Sequence, residues 1–200
     1  MVEMKKYKLC DIVKTSSGGT PKSTIAEYYE GGNIPWINSG ELGNPFITST
    51  KNFITKKGYD NSSAKLFPPQ TILLAMYGAA AGKVSLLEFE ACTNQAICAI
   101  MPNKDILLPI YLKYKLNTMN DYLVRLSAGS ARDNLSQDGI KALELRIPSL
   151  STQQKIATVL SSFDKRIENL RAQNRVLEQT AKTTQRNTLL PLFRTGQIEM

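Results

Sequence analysis

The spacing that comes nearest to a chemical motif is Gly78-Ala79-Ala80-Ala81-Gly82-Lys83, two glycines ending in a lysine. A phosphate cradle of the form GxxxxGK followed by Ser or Thr holds phosphates on backbone N–H groups and the lysine, and magnesium on the hydroxyl. Here the spacing is one residue short and Val84 stands where the hydroxyl is needed, which argues against nucleotide hydrolysis. As a turn between two strands, the segment is still expected to offer N–H groups and Lys83 to a phosphate. Glu88 and Glu90 flank Phe89 without a third acid or a suitably spaced lysine, and read as a solvated strand face rather than a metal or acid-base pair. The chain has no histidine, so Ser-His-Asp triads, His-ligated zinc and imidazole acid-base chemistry are excluded. Cys10, Cys92 and Cys98 form no CxxC pair and are expected to be reduced thiols, mostly buried as small side chains.

Asn44-Pro45-Phe46 resembles the Asn-Pro-Pro-aromatic loop of amino-methyltransferases but lacks a proline, and no glycine-rich cofactor loop after a strand accompanies it. Methyl transfer is therefore not expected in this chain. With no catalytic constellation left, the remaining function classes are binding and assembly. The 200 residues leave room for one domain and a long helix. A 42% hydrophobic content argues against disorder, and neither a membrane span nor the apolar core of a signal peptide is present, so a cytoplasmic protein is expected. The formal charge of +8 divides evenly: 17 basic against 13 acidic residues up to Leu150, and 8 against 4 beyond it. Such a balance allows a polyanionic partner without requiring one.

The elements that would position binding residues follow from turn chemistry and periodicity. Tyr7 to Val13 reads as a short element, followed by a polar loop from Thr15 to Lys22 in which Gly18-Gly19-Thr20-Pro21 forces a turn. Ile34-Pro35-Trp36-Ile37 reads as an edge strand because proline cannot donate within a central one. Phe46 to Ile54 is Thr-rich and β-branched; Lys51, Lys56, Lys57 and Lys65 then accumulate with only Asp60 opposing them. Thr71 to Tyr77, Lys83 to Phe89 and Ala91 to Met101 read as strands. Pro109 opens a helix whose stripe of Tyr111, Leu112, Leu116, Met119, Leu123 and Leu126 should be core. A second polar loop from Ser127 to Asn134, a short helix from Ser136 and a strand from Leu143 to Ile147 complete an α+β, β-rich domain over 1–150.

From Leu150 to Pro191 no glycine or proline intervenes, which predicts a helix of about 36 residues, roughly 54 Å long. Ser151 is expected to cap it, with Gln154 reaching back as a capping box. Ile156, Leu160, Phe163, Ile167, Leu170, Asn174, Leu177, Ala181 and Thr184 recur at gaps alternating four and three, the 3.5-residue repeat of a coiled-coil seam. A narrow apolar stripe that persists so far wants a partner helix. Residues 151–200 are thus expected to form a spacer and dimerisation helix with a C-terminal tail.

Three stretches in order, GGTPKSTIAEYYEGGNIPWINSGEL, TNQAICAI and GSARDNLSQDGIKALELRIPSLSTQQKIATVL, resemble the specificity subunits of type I restriction-modification enzymes, and the tail LLPLFRTGQIEM is similar to the way their helical regions end. Full-length members carry two tandem recognition domains, each followed by a helix; this chain corresponds to one copy. The resemblance implies a non-catalytic subunit that reads double-stranded DNA and docks methyltransferase subunits, with S-adenosylmethionine and adenine flipping on those partners and restriction on separate motor subunits. Charge and loop composition then single out Lys22, Lys56, Lys57, Lys83 and Arg132 for phosphate contacts and the loops carrying Thr20, Trp36, Asn38, Tyr77 and Ser130 for base reading, with Arg132 suited to guanine and Asn38 to adenine; the alternative is solvated lysines, Trp36 and Tyr77 in the core and Asn38 capping a turn. One copy further implies a homodimer reading two half-sites, with roughly 16 base pairs as the upper scale of the gap for a 54 Å helix. Asn174 at an a position favours a parallel pair, whereas the family's helices run antiparallel, and the antiparallel arrangement is followed. The competing expectation is a non-reading coiled-coil adaptor or a truncated fragment; a stand-alone nuclease lacks the carboxylate cluster it would need.

Overall fold

Short strands joined by tight turns, together with helices, make up the computed structural model, which describes residues 3–128 and 135–184. The chain divides into two compact units, Met1–Ala157 and Thr158–Met200. In the first, a two-stranded antiparallel ribbon joins β1 (Lys5–Lys8) to β11 (Glu144–Ile147), whose alternation buries Leu145 and Ile147 and exposes Glu144 and Arg146. After β1 comes one helical turn, α1 (Leu9–Ile12), and then β2 (Val13–Ser17). The Tyr7–Val13 stretch is therefore a strand, a helical turn and the start of another strand.

A five-stranded sheet takes the order β2, β10 (Ile97–Pro102), β7 (Ile72–Ala75), β8 (Val84–Leu87), β4 (Phe46–Ile47). β7 and β8 are buried at every position, so their apolar residues run without alternation. A second sheet has the order β5 (Phe53–Ile54), β3 (Ile34–Ile37), β9 (Ala91–Thr93), β6 (Leu66–Phe67).

Two expectations are corrected here. β3 is an interior strand, not an edge. Its first half pairs with β5 and its second half with β9, starting at Trp36, so the Pro35 nitrogen falls where no ladder bond is required. The Ala91–Met101 run is two strands in two sheets. Asn94 breaks it: its Oδ1 accepts from the Ala96 N–H at 3.2 Å, folding 94–96 into a turn that carries the chain from one sheet to the other.

Helices cover the first sheet. α3 (Pro109–Asn117) starts on Pro109 as expected, and Tyr111, Leu112, Leu116 and Leu123 are buried in one cluster with Ile72, Leu74, Val84, Leu86 and Ile100. The expected single helix breaks at Thr118–Met119, and α4 (Asn120–Ala128) resumes after it; the Thr118 hydroxyl donates to the Lys115 carbonyl, a local bond that competes with the helix ladder. Lys113 is fully buried, its ammonium 4.2 Å from the Phe46 ring centre and 4.1 Å from that of Tyr114, contacts that offset part of its desolvation. α5 (Gln137–Lys141) is capped by Ser136, whose Oγ accepts from the Gly139 N–H. Cys92 and Cys98 are buried, and burial pushes their thiols up to about 11 and about 12, while Cys10 is exposed.

The long helix α6 spans Leu150–Thr184, 35 residues. Its cap is Ser149 rather than Ser151: the Thr152 N–H donates to Ser149 Oγ, and Gln153 reaches back to the Pro148 carbonyl. Gln153 is fully buried. Its Oε1 accepts from the Leu108 N–H at 2.9 Å, and its Nε2 donates to the carbonyls of Ile106 and Pro148, also at 2.9 Å. A leucine there would leave those backbone groups buried without partners, at about 1–3 kcal/mol each before its own apolar burial is credited. Gln153→Leu is accordingly expected to lower stability by about 3 kcal/mol. Urea unfolding should show the loss as a lower midpoint at unchanged m; a midpoint equal to that of wild type would contradict it.

In the second unit the seam is solvent-facing: Leu160, Phe163, Ile167, Leu170 and Leu177 are all exposed, as are Asn174, Ala181 and Thr184. Ile156, the first seam residue, instead packs against the core of its own domain, so the open stripe starts at Leu160.

Candidate nucleic-acid interface

Strand register brings several polar loops to one end of the two sheets. β2 ends with Ser17 opposite Cys98, and β7 ends with Ala75 opposite Ile97. β3 ends with Ile37 beside Thr93, the last residue of β9. The chain therefore leaves or enters this one end at Gly18–Lys22, Asn38–Glu41, Met76–Lys83 and Asn94–Ala96. Lys65, which enters β6 at the same end, donates through Nζ to Ser16 Oγ at 3.0 Å.

These loops are tied to one another. The Gly19 N–H donates to the Thr93 carbonyl and the Asn94 N–H to the Ile37 carbonyl, both at 2.9 Å. Gly18 packs so closely that a Cβ would lie 1.9 Å from the Thr93 carbonyl oxygen. Trp36 donates from Nε1 to the Gly19 carbonyl at 3.0 Å and meets Tyr29 edge-on at 6.4 Å; the Tyr29 hydroxyl donates to the Pro21 carbonyl at 2.5 Å. Trp36 is thus a half-buried brace under the Gly18–Lys22 loop. Glu41 braces the next loop: its carboxylate accepts from the Asn38 N–H, the Thr50 hydroxyl and the Asn52 amide. Asn38 Oδ1 accepts from the Gly40 N–H, closing a capping box. Backbone strands in this way hold the loops, and polar side chains stiffen them, before any ligand arrives.

The sequence-derived candidates divide accordingly. Thr20, Lys22, Trp36, Asn38, Tyr77 and Lys83 belong to this end. Thr15 to Ser17 of the expected loop are strand, so the loop proper begins at Gly18. Trp36 and Asn38 are engaged in bracing and capping. Tyr77 is half-buried against the first core cluster. In the Gly78–Lys83 turn, Gly78 and Gly82 take positive φ (77° and 80°), and the N–H groups of Ala81, Gly82 and Lys83 donate to Gly78, Ala75 and Ala80. Those three are therefore not offered to a phosphate, and the candidates left in the turn are the N–H groups of Gly78, Ala79 and Ala80 and the exposed Lys83 side chain. Lys56 and Lys57 lie on α2 (Lys56–Asp60), which follows Ile54 off the opposite end of the β3–β5 pair. Lys56 pairs with Asp60 at 2.6 Å; Lys57 pairs with Glu27 and holds that carboxyl below its usual range. Ser130 and Arg132 lie outside the described residues. Sequence reasoning missed the contacts of Lys65 with Ser16 and of Gln95 with Thr20, which join segments far apart in the chain, and it missed Glu41, although Asn38 and Glu41 stand at a local capping-box spacing. Among the described residues no group of three or more Cys, Asp and Glu side chains is placed to hold a metal, and no helix is long and apolar enough to cross a membrane.

Comparison with known proteins points the same way. The family model for the type I restriction modification DNA specificity domain matches residues 1–179. The chain is 41% identical over 184 residues to the MjaIX specificity subunit of Methanocaldococcus jannaschii, covering 90% of this chain and 41% of that protein. It is 30% identical over 197 residues to the HindI specificity subunit of Haemophilus influenzae, covering 95% and 40%. It therefore spans about two-fifths of the length of these relatives. The crystal structure of the HsdS subunit from Thermoanaerobacter tengcongensis superposes with a TM-score of 0.62 at 19% identity, over 90% of this chain and 44% of that one, a likeness of fold.

Proposed function

The chain belongs to the type I restriction modification DNA specificity family, and from that premise we propose that it reads one half of a bipartite duplex target and pairs with a second copy to read the other. The observation that carries the reading is the convergence of the Gly18–Lys22, Asn38–Glu41, Met76–Lys83 and Asn94–Ala96 loops on one end of the two sheets. Loops braced before binding lose little entropy on ordering, which suits discrimination between base pairs. Lys22 and Lys83, with Arg132 outside the described residues, supply phosphate contacts; Lys56 and Lys57 are left out of the footprint because each already holds a carboxylate at the far end.

The exposed seam from Leu160 to Ala181 supports pairing with a second copy, antiparallel so that the two recognition domains stand at opposite ends. Identical halves related by a two-fold axis read a palindromic split site. The 35-residue helix, about 52 Å long, sets the scale of the unread gap. The same helix is the docking surface for methyltransferase subunits. S-adenosylmethionine and the flipped adenine belong to those partners, and restriction belongs to separate subunits.

A salt titration tests the reading. Three phosphate contacts per chain, six per pair, predict that log K falls against log salt with a slope of about −5. Fluorescence anisotropy on duplex DNA between 50 and 200 mM salt, a range chosen because it resolves such slopes, should show it, and the retained complex should select a split site. A pair that binds no duplex at low salt would instead identify a coiled-coil adaptor.

A further inference from the structure

The exposed stripe of α6 is not uniform along its length. From Leu160 to Leu177 its seam positions hold Leu160, Phe163, Ile167, Leu170 and Leu177, all exposed, with Asn174 among them; beyond Leu177 only Ala181 and Thr184 follow. With Asn174 at a, Leu160, Ile167 and Ala181 are also a positions, and Phe163, Leu170, Leu177 and Thr184 are d positions. Asp164, Arg171 and Glu178 occupy the flanking e position of successive heptads. An antiparallel pair sets each a residue against a d residue of the second copy and brings e positions alongside e positions. Apolar content and charge can therefore be compared from one register to the next.

With the two stripes fully overlapped, Leu160 faces Thr184, Phe163 faces Ala181 and Leu170 faces Asn174. On the flanks Arg171 then meets the second copy's Arg171, and each Asp164 meets a Glu178, so every e contact joins like charges. Sliding the copies one heptad toward their N-terminal ends reverses this. Leu160 faces Leu177, Ile167 faces Leu170, and Asp164 lies beside Arg171 at two symmetric places. Phe163 faces Asn174, and the layers lost are those of Ala181 and Thr184, which have little apolar surface to cover. Sliding the other way sets Arg171 beside Glu178 but leaves Leu160 and Phe163 without a seam partner up to Thr184. We propose that a second copy pairs antiparallel with α6 in the offset register, Leu160 on Leu177 and Ile167 on Leu170, selected by Asp164 bridging to Arg171. The inference rests on the pairing proposed above and adds the register to it. One heptad is about 10 Å of helix, or about three base pairs of duplex, so the register sets the spacing of the two half-sites.

The test is sedimentation equilibrium of the full chain at low salt for wild type, Asp164→Arg, Arg171→Asp and the double exchange. Each single change sets like charges together at two places and should weaken the pair by about five- to thirtyfold. The double exchange rebuilds both bridges and should return to within about threefold of wild type. Full overlap makes the opposite forecast for Asp164→Arg, which would tighten the pair by meeting Glu178; in the opposite slide, or in a parallel pair, that change would have no effect. Tightening, no effect, or a double exchange that fails to recover each overturns the register. Salt separates lost bridges from a damaged helix: at about 1 M the single variants should pair as wild type does, because exposed charges are screened there. A deficit in both single variants that persists at that salt overturns the assignment of the bridge. These outcomes leave the pairing itself standing; a wild-type chain that remains monomeric overturns pairing and register together.

Discussion

Aspartate at both Leu170 and Leu177 is expected to turn a paired chain into a monomer and to abolish selection of a split site. Both side chains are exposed in the single chain, at 43% and 66%, so in the proposed pair it is the second copy that would cover them. Covering a leucine contributes about 1.5–3 kcal/mol, and the four leucines of a pair would lose about 6–12 kcal/mol, before the cost of desolvating aspartate is added. At 1.4 kcal/mol per tenfold, the dissociation constant should rise by roughly 10⁴ or more. Sedimentation equilibrium reads the change directly. Because the substituted side chains are exposed, the melt of the Met1–Ala157 unit should not move, which separates loss of pairing from loss of fold. A wild-type chain that sediments as a monomer at its highest soluble concentration would remove the basis for the paired arrangement.

Gly18→Ala should be the most damaging single methyl group in the recognition domain. The added Cβ would lie 1.9 Å from the Thr93 carbonyl oxygen and 2.6 Å from its carbon. These are backbone atoms between two sheets and cannot rotate aside. Relief requires moving the Gly18–Lys22 loop off β9, which breaks the Gly19-to-Thr93 bond and leaves the Trp36 indole without the Gly19 carbonyl. Overpacking of this kind costs about 3 kcal/mol or more, and for a chain of this size that lowers the melting temperature by roughly 6–12 °C. Gly43→Ala is the control: nothing lies within 4 Å of its Cβ position, and its effect should stay within about 0.5 kcal/mol. Calorimetry on the two variants checks the difference. Equal melts would show that the tight approach of Gly18 to Thr93 is dispensable.

Local rules carried far in this chain. Pro109 at a helix start, Ser136 as a cap, the buried stripe of α3 and α4 and the break-free run of α6 were all legible, because each depends on residues within one or two turns. The misplaced cap of α6 has a tertiary cause. Ser149 and Ser151 are equivalent as local signals, but only the earlier start turns Gln153 inward to the backbone at Ile106 and Leu108. Lys56 and Lys57 misled for the same kind of reason. As sequence they form a basic cluster, and only the fold sets Glu27 against Lys57 and sends α2 away from the loop end.

What the amino-acid order determined by itself was the absence of imidazole chemistry, an α+β domain rich in short strands, and a helix whose 3.5-residue stripe calls for a partner. Tertiary structure alone decided which loops share an end. Asn94 splits one apolar run between two sheets, β3 takes different neighbours along its length, and Thr20 thereby meets Gln95. Periodicity records which face of an element is buried; the partner and register of a strand are set by contacts between residues far apart in the chain, and local sequence does not encode them.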